Sequence, residues 1–301
     1  MVQSFQETLR EIESLNAQRK HNLSAVFGFT KFSDLSKDEF VDKYLQDDMY
    51  ERIRNYSNVY KKTDHSGESN EVHDVHLMKR SLTTIPKKVD WRTKQAVTKV
   101  NNQRSCGACW AFSTVETIES MKAMKTGILE PLSVQELIDC ARYNNDGCNG
   151  GDICTLVYWL VDNKIKIRKE TEYPLHLKNE ACKLNKTLSG VEVSEFNCNS
   201  FTDDEDSILY LLANHGPVAV AINAMLWQNY LGGVIHYHCD SSPSMLNHAV
   251  QIVGYDMTAE IPHYIVRNSW GKDFGDKGYL YIAIGSNVCG LANEVVSLDV
   301  A

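Results

Sequence analysis

The chain has 301 residues, 43% of them hydrophobic, with six prolines and a formal net charge of −8. That length and composition suit a globular protein with one or two sizeable cores and exclude a disordered one. The charge forms no basic stripe and no run of about 18 apolar residues occurs, so neither a nucleic-acid partner nor a membrane-spanning helix is expected.

Residues 1–84 read as a separate unit. Phe5, Leu9, Ile12 and Leu15/Asn16 recur at helical spacing and predict one amphipathic helix. Ser36 with Glu39 three residues later forms a capping box, which predicts a second, short helix. From Lys61 to Thr84 the chain is polar, so a loose segment is expected, and Lys79-Arg80 within it is a candidate site for a cut. The opening Met1–Glu7 lacks the apolar core of a signal peptide. Nine cysteines and the glycosylation sequons at Asn22, Asn55 and Asn185 nevertheless point to an oxidising, secretory route. The chain is therefore expected to begin downstream of its signal peptide.

Beyond residue 84, helical patterns crowd 109–126, 133–142 and 151–163. Strand-like alternation follows around 217–223, 248–255, 263–268 and 278–284. Helices first and strands afterwards predict an α+β protein. The first of these helices opens on Cys109, carries Ala111, Val115, Ile118 and Met121 at helical spacing, and stops before Gly127. A thiol there feels the positive end of the helix dipole, which is expected to lower its pKa. A thiolate nucleophile needs a proton acceptor and a group to orient that acceptor. His248 lies 139 positions downstream, Asn268 a further 20, and Gln103 precedes the cysteine by six. Taken singly, each has a bland alternative: a structural thiol, a core or surface histidine, a surface amide, and for Trp270 plain core. The joint pattern reverses those odds.

Cys106-Gly-Ala-Cys109-Trp110 with a distant His and Asn resembles the signature of the papain-like cysteine peptidases. Asp90-Trp-Arg92, Gly147-Cys-Asn-Gly-Gly151, Gly216-Pro-Val218, Asn268-Ser-Trp-Gly271 and Gly278-Tyr279 match further landmarks of that family in order. Phe5, Thr8, Ile12 and Asn16, then Gly28-x-Thr30-x-Phe32-x-Asp34, resemble its pro-region motifs, with threonine at 8 and 30 where asparagine is usual. The resemblance implies a papain-like two-lobed fold, with a helical left half and a barrel-like right half over 85–301, preceded over 1–84 by an inhibitory pro-region, expected to be truncated at its N-terminus, and an activation linker. It implies a cysteine endopeptidase made as a zymogen, monomeric, lysosomal or secreted, with no cofactor. Its partners would be protein and peptide substrates, cystatin-like inhibitors, and its own pro-region, threading the cleft in the reverse of the substrate direction.

Residue by residue, the resemblance makes Cys109 the nucleophile, His248 its acid–base partner, and Asn268 the group that orients the ring under the cover of Trp270. Gln103 and the Cys109 N–H would hold the oxyanion. Gly150 and Gly151 would line the cleft, and Ile153, Ala221, Leu246 and Ala249 would wall the pocket for the side chain two residues before the scissile bond, beside Asn247. Glu294 would form the floor of that pocket and extend an apolar preference to arginine; turned outward, it would be one more surface charge. Family positions imply the bridges Cys106–Cys148, Cys140–Cys182 and Cys239–Cys289. Cys154 and Cys198 have no standard partner; they pair with each other or stay free. Cys106-x-x-Cys109 and His236-Tyr-His238-Cys239 look superficially like zinc ligands, but with Cys106 and Cys239 assigned to bridges no metal is expected. Ala108, Asn247 and Phe274 depart from the more frequent Ser, Asp and Trp, and Asn247 removes a carboxylate from beside the catalytic pair. No histidine-rich occluding insertion is present, which favours an endopeptidase over a dipeptidase. Two rivals stand beside this reading: a catalytically silent papain-like binding homologue, and a pro-region-type inhibitor module.

Overall fold

In the computed structural model, which describes residues 2–59, 85–184, 189–237 and 239–301, helix α1 (Val2–Ala17) packs through only part of its apolar face. Ile12 and Leu15 are buried together with Thr8, whose hydroxyl donates to the Ser33 carbonyl. Leu9 and Phe5 are exposed, Phe5 stacking on Phe29 at 4.7 Å, so the single apolar face expected from spacing is rotated toward Thr8. Strand β1 (Val26–Phe27) follows. Helix α2 (Lys37–Tyr44) starts at the capping box: the Ser36 hydroxyl accepts from the Glu39 N–H at 3.2 Å, and the Glu39 carboxylate accepts from the Ser36 N–H at 2.8 Å. Helix α3 (Met49–Val59) closes this part. The Lys79-Arg80 pair, the polar 61–84 stretch, Asn185 and His238 lie outside the described residues.

After β2 (Lys88–Asp90) come three helices, α4 (Cys109–Thr126), α5 (Val134–Cys140) and α6 (Ile153–Asp162). Ser133 and Asp152 cap the second and third by accepting from the Glu136 and Thr155 N–H groups. Helix α4 ends at Gly127, whose φ of 74° is the left-handed conformation that glycine adopts without a Cβ clash. It is buried on nearly every side because it lies between two cores. The remaining elements are β3 (Lys166–Ile167), β4 (Val191–Asn199), α7 (Glu205–Asn214), β5 (Val218–Ile222), β6 (Tyr230–Gly232), β7 (Val234–Ile235), β8 (His248–Asp256), β9 (His263–Arg267), β10 (Tyr279–Ala283) and β11 (Val295–Val300). The large sheet runs β3-β4-β11-β5-β8-β9-β10-β7, with β2 added to β8.

One core joins α4, α5 and α6 through Trp110, Phe112, Ile138 and Leu156. The other lies on the sheet around Trp227, Tyr255, Val266 and Trp270. The lobes are stitched by a buried ion cluster, Arg267 of β9 lying 3.2 Å from Glu116 of α4. Burial pushes the Glu116 carboxyl up to about 7 against the pull of that guanidinium. The disulfides are Cys106–Cys148, Cys140–Cys182, Cys154–Cys198 and Cys239–Cys289, which leaves Cys109 as the free cysteine. The question left open for Cys154 and Cys198 resolves as a bridge from α6 to β4. No described helix is long and apolar enough to cross a membrane.

Residues 5–45 lie on the sheet-side core. Strand β1 pairs antiparallel with β6, Val26 opposite Gly232 and Phe27 opposite Tyr230. Leu15, Phe27, Phe32, Phe40 and Leu45 are buried in that core, whereas Met49 is buried in the helical one. The chain therefore crosses from one lobe to the other between Leu45 and Met49. The groove it crosses holds Cys109.

Candidate active site

Helix α4 presents Cys109 at its first turn, and β8 presents His248 and Ala249 opposite, with the Ala249 N–H directed at the thiol sulfur. His248 Nε2 lies 2.8 Å from Asn268 Oδ1. An amide oxygen only accepts, so the ring carries its hydrogen on Nε2. Nδ1 has no hydrogen-bond partner and keeps its lone pair available. Trp270 lies tilted over this bond, its ring 4.8 Å from the imidazole, and Trp227 meets the imidazole edge-on at 5.8 Å. Both tryptophans are fully buried. A dry cover of this kind strengthens the His–Asn bond. Gln103 is buried and fixed at both ends of its carboxamide: Oε1 accepts from the Ser269 hydroxyl at 2.5 Å, and Nε2 donates to the Cys106 carbonyl at 3.1 Å.

Gln46 occupies the groove. Its backbone N–H donates to the Asn247 carbonyl at 2.7 Å, its Nε2 donates to Cys109 Sγ at 2.8 Å, and its Oε1 accepts from the Gly151 N–H at 2.8 Å. Gly150 makes room for it, and Gly151 makes room for the Trp110 ring. A Cβ on Gly150 would stand 2.7 Å from Gln46 Oε1, and one on Gly151 would stand 2.4 Å from the Trp110 ring. Three residues on, Met49 is buried in the same core as Ile153, Ala221, Leu246 and Ala249.

This cover reverses the expectation of a lowered thiol pKa. Burial pushes Cys109 up to about 11, although Gln46 and the Ala249 N–H oppose it, and burial pushes His248 down to about 4 against the Asn268 bond. The helix dipole still acts, but desolvation of a fully buried thiolate outweighs it. Both shifts favour the uncharged thiol and the uncharged imidazole while Gln46 covers them.

Other expected residues fall as follows. The Asn247 carboxamide oxygen accepts from the Ala224 N–H at 2.9 Å, while its backbone carbonyl is the group that meets Gln46. Glu294 is 4% exposed rather than on the surface, and its carbonyl accepts from the Ala221 N–H. Asn22 and Asn55 are exposed. Cys106 and Cys239 are consumed by bridges and offer no thiolate to a metal. Gln46 and Met49 escaped the sequence reading. Gln46 sits between α2 and α3 without a local signal, whereas Met49 opens α3, where Met49, Ile53 and Tyr56 at helical spacing are the signal the sequence offers.

Residues 85–298 match the family described as papain family cysteine protease, and residues 2–40 match the cathepsin propeptide inhibitor domain (I29). The chain belongs to the papain family of cysteine proteases and carries that propeptide domain ahead of its protease domain. Among individual proteins, it is 40% identical to cathepsin O of Homo sapiens over 299 residues, covering 99% of this chain and 87% of that protein. Procathepsin L 3 from the larval midgut of Tenebrio molitor is 29% identical, with a TM-score of 0.76 over 98% of this chain and 90% of that one. Bromelain from Ananas comosus in complex with the E64 inhibitor is 34% identical, with a TM-score of 0.64 over 71% of this chain and 99% of that one.

Proposed function

We propose that the chain is the latent form of a lysosomal or secreted, monomeric cysteine endopeptidase that attacks peptide bonds with Cys109. The observation that carries this reading is the His248–Asn268 bond, which leaves Nδ1 as the one free base of the ring beside a cysteine that Gln46 holds in place. Once residues 1–84 are removed, water returns to the groove and the burial that holds both groups neutral is relieved. The Cys109 proton passes to His248 Nδ1, and the α4 N-terminus favours the resulting thiolate. The thiolate adds to the substrate carbonyl, whose oxyanion is held by the Cys109 N–H and the Gln103 carboxamide. His248 then protonates the leaving amine and afterwards draws a proton from the water that releases the acyl group. Asn268 keeps the ring oriented through both steps.

Ile153, Ala221, Leu246 and Ala249 form the walls of the specificity pocket, and Glu294 forms its floor. The burial of Met49 in the core that these residues share supports an apolar preference at the second position before the cut. Residues 1–84 act as the inhibitor, and cystatin-like inhibitors address the same cleft after processing. Asn22, Asn55 and Asn185 are the glycosylation positions.

The test is labelling by the epoxide E64 before and after a cut between residues 59 and 85. Processed chain should be alkylated at Cys109 alone, uncut chain should not, and Cys109→Ala should hydrolyse no peptide. Processed chain that neither reacts nor cleaves would support the silent binding homologue instead.

A further inference from the structure

Arg267 is the last residue of β9 and stands directly before Asn268, yet its side chain is fully buried instead of reaching solvent. Its guanidinium gathers partners from three other segments of the chain. On α4, Nη2 lies 3.2 Å from Glu116 Oε1, two helical turns beyond Cys109. On β8, Nη1 donates to Gln251 Oε1 at 3.4 Å, three residues beyond His248. Ahead of Gln103, Nη2 donates to the Thr98 hydroxyl at 3.1 Å and to the Lys99 carbonyl. The partners are also tied to one another. Gln251 Nε2 donates to the Glu116 carbonyl at 2.9 Å and to the Ser120 hydroxyl at 3.0 Å. Asn101 Nδ2 donates to Glu116 Oε1 at 3.2 Å, and the Thr98 hydroxyl donates to the Glu119 carboxylate.

Stability alone does not call for this arrangement. A buried ion pair is often no more stabilising than apolar side chains of the same volume, because both ions are stripped of water. What a guanidinium adds is direction. Its planar fork of N–H donors fixes several acceptors at once, which hydrocarbon contacts and a lysine ammonium do not. The acceptors here belong to the segments that deliver Gln103, Cys109 and His248, and the arginine itself precedes Asn268. Proton transfer from Cys109 to His248 depends on their spacing, since a misplacement of about 1 Å costs on the order of 100-fold in rate.

We propose that Arg267 is a positioning residue for peptide cleavage: its guanidinium sets the spacing of Cys109 and His248 by holding to one point the four chain segments that carry Gln103, Cys109, His248 and Asn268. The proposal rests on Cys109 and His248 being the reacting pair. Arg267 touches neither of them and acts through Glu116 on α4 and Gln251 on β8.

The experiment uses processed enzyme and a fluorogenic Leu-Arg dipeptide amide. Arg267→Lys keeps the charge and loses the fork, whereas Gln251→Leu keeps the fork and cuts its bond to β8. In Arg267→Lys, kcat should fall about ten-fold or more, with KM within about two-fold of the parent. Alkylation of Cys109, the free cysteine, by iodoacetamide gives a readout independent of turnover. Its acid limb should move up by about one pH unit, because a displaced imidazolium favours the thiolate less. Gln251→Leu should move both quantities in the same direction by a smaller amount. Ile208→Ala, at a fully buried position of α7 outside the cluster, should lower the melting temperature without moving the alkylation limb.

If Arg267→Lys and Gln251→Leu only lower the melting temperature, as Ile208→Ala does, and keep the parental kcat and limb, the cluster is structural and the proposal is overturned. Should Arg267→Lys fail to fold, Gln251→Leu decides alone, and parental values in that variant overturn the proposal. A processed parent that neither cleaves the amide nor is alkylated at Cys109 sinks the reading of the reacting pair, and the positioning role falls with it.

Discussion

Residues 5–45 and residues 46–52 of the same pro-region meet the protease domain in contrasting ways. The first stretch buries hydrocarbon: Phe32 and Phe40 stand edge-on to Trp270 at 5.5 and 5.4 Å, Tyr44 at 6.1 Å, and Phe27 meets Tyr230. The second works largely through hydrogen bonds, with Gln46 reaching Cys109, Gly151 and Asn247 in turn. Buried aromatics contribute several kcal/mol each, whereas a polar contact exchanged for water contributes about 1 kcal/mol net. Holding the pro-region on and covering Cys109 are therefore separable tasks, resting largely on different contacts.

The largest break in that contrast should come from Phe40→Ala. Phe40 is fully buried, and removing it should weaken docking by about 3–5 kcal/mol. The uncut chain should then melt earlier and show peptide hydrolysis before any cut. Acid comes next. His248 is held down to about 4 by burial, below its ordinary 6.5. The closed form therefore resists protonation: its stabilisation is complete above pH 6.5 and is lost as pH falls toward 4, worth up to about 3 kcal/mol. The uncut chain should therefore unfold more readily at pH 4 than at pH 7, and less of that pH dependence should remain in His248→Ala.

Gln46→Ala removes the side-chain bonds to Cys109 and Gly151 and leaves the aromatic dock intact. It should raise the inhibition constant of the pro-region about ten-fold while leaving the melting temperature of the uncut chain nearly unchanged. Smallest is Lys31→Ala. Lys31 bonds the Trp270 carbonyl and pairs with Asp273, but Asp273 is 65% exposed, so less than about 1 kcal/mol should be lost and salt should erase most of it.

How far the sequence could be read follows the same division. The α2 capping box, the α4 start at Cys109 and its stop at Gly127 are local signals, and each element formed where its residues pointed. The order of Gln103, Cys109, His248 and Asn268 carried the family resemblance, and the fold brings His248 and Asn268 into contact. What escaped is set by tertiary placement. Strands β4 and β11 owe their pairing to each other, Cys198 opposite Val296, rather than to a turn signal. Leu9 has the spacing of a core residue but lies outside the contact made through Thr8 and Ile12. The thiol pKa of Cys109 changed direction because burial by a segment 63 residues upstream exceeds a helix dipole that the local sequence does announce.

All nine cysteines lie between residues 106 and 289, so every bridge falls within the protease domain and the pro-region has none. The one covalent tie between inhibitor and enzyme is the peptide backbone between residues 59 and 85. While that tether is whole, the pro-region faces the cleft at an effective concentration on the order of millimolar, and latency does not depend on how much protein is present. One cut anywhere along it makes the same contacts bimolecular. From then on, dilution alone releases the enzyme, and a crowded compartment keeps it quiet longer than a large one.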